Sequence, residues 1–226
     1  MAMISGYSKD SRSGLKVNKY DQFRYLYPPR PDIVISPDRL TFFEKQKVYV
    51  AQYKKNGTNS LIWLSPDGVF TTMNRHNEVH KAWTLGPENK EILKGLLPKG
   101  LWTCLQFELL HNKAPNLKDT LYIHDILVHD SQYLIGETFE NRQKLLEELL
   151  PSNAEAYSHF VISNKIWRAK NFKEGFESKF TSIADPKTDE GLVLKKLGAP
   201  LKMCDVPKGN SGWCIKVRHP SKMYNY

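Results

Sequence analysis

Apolar and polar residues alternate with a period of two along several short stretches of the chain, and with a helical period along a few others. The clearest two-residue pattern runs from Val48 to Tyr53. It predicts a strand that enters a polar turn, Lys54-Lys55-Asn56-Gly57, and leaves through a second apolar run, Leu61 to Leu64. Ser65-Pro66-Asp67-Gly68 is a turn before the strand-like Val69 to Thr72, and strands joined by such turns predict an antiparallel meander. Further strands are expected over Leu101 to Leu110, Asp119 to Val128, Ser158 to Ile162, Gly191 to Leu194 and Trp213 to Val217. Helical spacing predicts helices over Glu88 to Leu97, stopped by Pro98, and over Phe139 to Leu150, stopped by Pro151. A basic amphipathic helix is expected over Asn164 to Phe180. A short one begins at Ser36-Pro37, with Ser36 as N-cap. Tyr27 to Pro31 is a proline-stiffened turn. The pattern predicts one α+β domain over 21–226, antiparallel sheets with peripheral helices, after a flexible basic arm over 1–20.

Composition narrows the class. A 226-residue chain with 40% hydrophobic and 12% aromatic residues has enough material for a buried core. Its net charge of +9 favours a polyanionic partner. No apolar run is long enough to span a bilayer, so nucleic acid is expected rather than membrane. Cys104, Cys204 and Cys214 are too scattered for a disulfide framework or a zinc site, which suits an intracellular protein.

The candidate chemistry lies in charges on strands. Lys54 ends one strand beside Gly57, a place that suits a nucleophilic amine; the alternative is a surface hairpin with two solvated lysines. Glu108 interrupts an apolar strand, Glu190 opens another, and Lys216 and Arg218 alternate on a third, facing one side. Carboxylates and cations gathered on neighbouring strands predict a polar cleft, because buried charges must be paired or bind a metal.

These segments resemble, in order, the motifs of the covalent nucleotidyltransferases: ATP-dependent DNA ligases, RNA ligases and mRNA capping enzymes. Lys54-Lys55-Asn56-Gly57 is similar to their KxxG motif, Phe107-Glu108 to motif III and Ile123-His124-Asp125-Ile126 to motif IIIa. Glu190 to Lys195 resembles motif IV, and Lys216-Val217-Arg218 resembles motif V. The resemblance implies an ATP-grasp-like ligase domain and a reaction in three steps: a lysyl-AMP on Lys54, transfer of AMP to a 5′-phosphate, and sealing by a 3′-hydroxyl. It implies Lys54, Lys216 and Arg218 as catalytic residues, the two cations depressing the pKa of Lys54 and offsetting phosphate charge. Gln52 takes the place of the adenine reader, Arg75 that of a ribose or nucleic-acid contact, and Glu108 that of the ribose holder. Tyr53, Asn56, Gly57, Asn59 and Lys195 complete the implied nucleotide site. His124 stands where the family presents an aromatic ring, with Tyr122 as the substitute. Magnesium or manganese is implied at Glu190 and Glu108.

Asn56 and Asn59 give KxxGxN, which resembles nick-sealing RNA ligases more than the KxDG of many DNA ligases. The chain ends eight residues after Arg218, so no oligonucleotide-binding barrel is expected. The reading is a monomeric ATP-dependent polynucleotide ligase favouring RNA. The alternatives are a DNA ligase core, a capping guanylyltransferase and a non-catalytic basic nucleic-acid-binding domain.

Overall fold

At the glycine turn the chain passes from one sheet to another. The computed structural model describes residues 9–10, 14–15, 25–81, 83–110, 117–204 and 209–220, so most of the expected arm lies outside the described residues. A two-stranded ribbon, β1 (Lys9–Asp10) with β2 (Gly14–Leu15), comes first. Next are β3 (Ile33–Val34), a 3-10 turn (Pro37–Arg39), α1 (Leu40–Lys45), β4 (Tyr49–Lys55), β5 (Thr58–Leu64) and β6 (Phe70–Asn74). The middle of the chain holds α2 (Pro87–Leu96), β7 (Thr103–Leu110), β8 (Thr120–His129), β9 (Gln132–Tyr133) and α3 (Phe139–Leu149). Last come β10 (Ala154–Glu155), β11 (His159–Ser163), β12 (Ile166–Ala169), α4 (Phe176–Thr181), β13 (Asp189–Lys196) and β14 (Cys214–Arg218).

The larger sheet runs β10-β11-β12-β8-β7-β5-β6, with β9 beside β8; the smaller runs β3-β14-β13-β4. The meander therefore holds from β5 to β6 but fails at its first turn. β4 pairs with β13 and β5 with β7, so no hairpin joins them. Nor is the pairing purely antiparallel: β12 runs parallel to β8, and β14 to β3. The architecture is mixed α+β, with open sheets and few helices.

Two local expectations are corrected. The helix predicted over Asn164 to Phe180 is instead strand β12 followed by a turn and the short α4. Ile166, Trp167 and Arg168 pair with Leu121, Tyr122 and Ile123, and Gly175, at φ +73°, marks where α4 begins. Sheet pairing and burial override helical spacing there. Ser36 stands at the N-cap position in extended backbone, but its hydroxyl donates to Asp38 rather than capping the turn.

Alternation along the strands sorts the core into layers. One face of the larger sheet buries Ile62, Leu105, Phe107, Ile123 and Ile126 against Leu93 of α2 and Leu146 of α3. The outer face of the smaller sheet buries Ala51, Tyr53, Leu192, Leu194, Ile215 and Val217 against Leu40 of α1 and Phe176 and Phe180 of α4. At about 1.5–3 kcal/mol per buried large side chain, these layers fix which face of each sheet is left for the site. Among the described residues no helix is long and apolar enough to cross a membrane.

Candidate active site

In the smaller sheet, three strands set their side chains in rows. Lys54 lies opposite Gly191, which lies opposite Arg218; one row along, Gln52, Val193 and Lys216 are aligned; the next holds Val50, Lys195 and Cys214. Opposed residues in a sheet project to the same side. Gln52, Lys54, Lys195, Lys216 and Arg218 thus share the face opposite the apolar layer. Tyr53, expected with them, points the other way, its ring edge-on to Tyr157 and Phe172.

The register slips between Asp189 and Gly191, leaving Glu190 as the extra residue of a bulge. Bulges re-aim side chains, and here Glu190 and its neighbour Asp189 each meet a different lysine. Glu190 Oε2 accepts from Lys54 Nζ, and Arg218 Nε lies 3.4 Å from the same oxygen. On the other side, Lys55 Nζ sits 2.7 Å from Asp189 Oδ1 and donates to Ser158 Oγ at 3.0 Å. The Lys54–Glu190 side chains are 15% and 23% exposed, those of Lys55–Asp189 only 2% and 4%. Burial lowers the pKa of Lys55, and the Asp189 charge opposes that shift. Lys54 therefore has a carboxylate as its immediate partner, where the sequence pattern implied two cations. Lys216 Nζ instead donates to the Pro31 carbonyl at 3.4 Å.

Two glycines make this geometry possible. A Cβ on Gly191 would lie 1.9 Å from the Val217 carbonyl oxygen, and one on Gly57 would lie 2.4 Å from that of Leu109. What Gly57 admits is the backbone of β7, with the Glu108 side chain beside it. Asn56 turns away from the cleft, donating its Nδ2 to the Lys187 carbonyl at 2.9 Å.

The larger sheet supplies the second wall. Asn59, opposite Glu108 on β7, lies with its Nδ2 3.4 Å from His124 Nε2, and its Oδ1 accepts from Gln106 at 3.2 Å. Lys195 Nζ reaches across from β13, 3.3 Å from both His124 Nδ1 and the His124 carbonyl. Burial, then the Lys195 charge, hold the His124 imidazole well below its ordinary pKa. Burial likewise lowers Lys195, opposed by Asp125. His124 therefore closes the end of the cleft as a neutral ring. Tyr122, opposite Glu108 on β7 and so on the same side of the larger sheet, is fully enclosed, its hydroxyl donating to the Ser158 carbonyl at 3.4 Å and its ring 5.5 Å from Lys55 Nζ. Arg75 is exposed in the turn after β6, its Nε donating to His76, away from these contacts.

Several partners carry no sequence signal that would single them out. Asp125 and Arg142 form a fully buried two-pronged ion pair, at 2.9 and 3.0 Å, that fastens α3 to β8 beside His124. Asn171 and Gln143 tie Gln52 to His124. Only Asp125, inside the segment that resembles motif IIIa, and Asp189, since Asp189-Glu190 mirrors Lys54-Lys55, were open to inference.

No protein-family model matches the sequence, and no curated protein matches it. Solved structures do. A mycobacterial DNA ligase D, determined with ATP and MES, aligns at TM-score 0.50 and 16% identity over 76% of this chain and 54% of that one. The ligase domain of M. tuberculosis LigD aligns at 0.50 and 17% identity, over 76% and 55%. The fold is that of these DNA ligases. A Naegleria gruberi RNA ligase aligns over 92% of this chain and 61% of its own, at 16% identity and a TM-score of 0.45. The chain spans about half the length of the DNA ligases it matches.

A magnesium ion carried by nucleotide phosphates needs only one or two protein carboxylates, because it keeps several waters. Glu190, partly exposed on the cleft face, fits that role, and Glu108 stands on the facing wall. Among the described residues no group of three or more His, Cys, Asp or Glu could hold a metal without the phosphates.

Proposed function

We propose that this chain is the adenylyltransferase unit of an ATP-dependent polynucleotide ligase, with RNA as the favoured substrate. The observation that carries this reading is the meeting of Lys54, Glu190 and Arg218 on the face of the smaller sheet opposite its apolar layer. Lys54 leaves Glu190 as a neutral amine, its proton passing to water, and attacks the α-phosphorus of ATP. A P–N bond forms, the bond to the bridging oxygen breaks, and pyrophosphate departs. Arg218 and Lys216 offset the charge on the transferring phosphoryl group. Arg218 holds phosphate well but gives up no proton, so the leaving group takes its proton from solvent. Glu190 and Glu108 would hold magnesium or manganese, which would supply charge neutralisation on the phosphate oxygens. AMP then passes to a 5′-phosphate, and a 3′-hydroxyl displaces it to seal the strand.

Preference for RNA is supported by the KxxGxN register of Lys54, Gly57 and Asn59. The fold likeness to DNA ligases supports a second reading, a DNA ligase core. Incubation with α-labelled ATP or GTP, followed by denaturing electrophoresis, tests the chemistry: a covalent adduct from ATP is expected, and no adduct from either nucleotide overturns the proposal. Matched nicks with ribose or deoxyribose at the 3′-hydroxyl side test the substrate. Equal or faster sealing of the all-deoxy nick replaces the RNA reading with the DNA one.

A further inference from the structure

A line of amides crosses the closed end of the cleft, and its polarity is fixed from one end. The His124 carbonyl oxygen can only accept. It receives Gln143 Nε2 at 3.2 Å and Lys195 Nζ at 3.3 Å. With its nitrogen committed to that carbonyl, Gln143 offers its Oε1 to Asn171 Nδ2, 2.9 Å away. Asn171 must then turn its Oδ1 to Gln52 Nε2, at 2.8 Å. Reversing any one amide would set oxygen against oxygen at the next link, so the order of donors and acceptors follows from the network itself. Asn171 is held in place by backbone: Ala51 and Phe172 exchange hydrogen bonds of 2.9 Å in each direction, which lays residue 171 alongside β4.

At the far end, Gln52 is 2% exposed and stands on the same face as Lys54, two residues away. Its nitrogen is engaged by Asn171, and among the described residues its Oε1 accepts no hydrogen bond. The cleft is thus offered an acceptor at this position.

We propose that Asn171 and Gln143 are positioning residues that set the nucleotide choice of this site. By holding the Gln52 amide in one orientation, they make it accept from the 6-amino group of adenine and oppose the 6-oxo group of guanine or hypoxanthine. The inference rests on the nucleotidyltransferase reading above and adds the origin of its base selectivity. A site with a fixed hydrogen-bonding group rejects a ligand that leaves that group unpaired.

The test compares α-labelled ATP with inosine triphosphate, in which an oxo group replaces the 6-amino group and N1 carries a proton, in initial rates of covalent labelling. Wild type is expected to prefer ATP by about 10- to 100-fold. Asn171→Leu and Gln143→Leu, checked for folding by thermal melting, are expected to reduce that ratio to about 3-fold or less, because the Gln52 amide can then rotate. Asn171→Asp keeps an acceptor towards Gln52 and is expected to retain the preference even if its overall rate falls. A merely structural role would lower both rates together and leave the ratio unchanged. An unchanged ratio in either folded leucine variant, or equal rates with the two nucleotides in wild type, overturns the proposal. If wild type labels with neither, the ligase reading fails separately, and calorimetric affinities for the same two nucleotides decide the relay. Equal affinities, or no binding of either, overturn it, while tighter binding of ATP that is lost in the leucine variants supports it.

Discussion

Lys54 and Lys55 are adjacent in sequence, and each meets an acid from the adjacent pair Asp189 and Glu190, yet the two ion pairs occupy different environments. Lys54–Glu190 lies in the partly open cleft with Arg218 on the same carboxylate. Lys55–Asp189 is sealed among Ser158, Tyr157 and Tyr122, with the Tyr157 hydroxyl donating to Asp189. A pair left within reach of water can part and re-form around a ligand, whereas a sealed pair cannot part without stranding a charge. Opposite faces of one strand end thus separate chemistry from support.

Breaking each pair in turn should separate the two roles. The largest effect is expected from Lys54→Ala, which removes the nucleophile. Covalent labelling should fall by at least about 1,000-fold, while stability changes by no more than about 1 kcal/mol, as for other partly exposed pairs. Retained labelling in Lys54→Ala, together with loss in a folded Lys55 variant, would reverse the assignment. Glu190→Gln should follow, lowering labelling by about 100-fold or more with little change in the melting curve. Parallel loss of activity and melting temperature would instead make Glu190 a structural partner.

Lys55→Met should act on stability first. Removing one partner of a buried pair costs about 3–5 kcal/mol, measurable by urea unfolding. Adding Asp189→Leu to Lys55→Met removes the stranded charge and should recover most of that loss, to within about 2 kcal/mol of wild type. A double variant no more stable than the single one would show that Asp189 carries no penalty when alone.

The smallest effect concerns pH. His159, whose Nδ1 is 2.9 Å from Ser158 Oγ, stacks on Trp167 at 3.8 Å between ring centres. Burial, then the charges of Lys55 and Lys170, push its pKa down to about 4. In the unfolded chain it takes up its proton near pH 6.5. Between these values the unfolded state binds more protons, so stability should fall as pH drops from 6.5, with no further loss from this group below about 4. His159→Gln should flatten the dependence of melting temperature on pH over that window. An unchanged slope would mean that other groups govern it.

How much of this was legible in the sequence varies with the kind of residue. The strands around Val48 to Tyr53, Leu101 to Leu110 and Gly191 to Leu194 are close to where alternation predicts them, because each presents one face to an apolar layer. The same alternation put Lys216 and Arg218 on one side of their strand, which the pairing with β13 reproduces. The segment from Asn164 to Phe180 went the other way. Its spacing suits a helix, but the open edge of β8 offered Ile166 to Arg168 a strand partner that local pattern cannot register.

Local pattern settles which positions alternate and which glycines and charges interrupt them. Which sheet each strand joins, and with that what each charge meets, is settled by contacts between distant segments. Lys55-Asn56-Gly57-Thr58 reads as a hairpin turn, yet it carries the chain between sheets, since β13 and β7 are the strands available to pair with its two arms. The carboxylate beside Lys54 depends on a one-residue slip in register, Tyr53 turns to the apolar side of its sheet, and Tyr122 is enclosed beside Lys55 and Ser158. Asn171 and Gln143 are ordinary polar residues in the sequence, and their order comes from the His124 carbonyl that folding brings within hydrogen-bonding distance. Hydrogen-bond direction and burial are properties of neighbours distant along the chain, so no local window contains them.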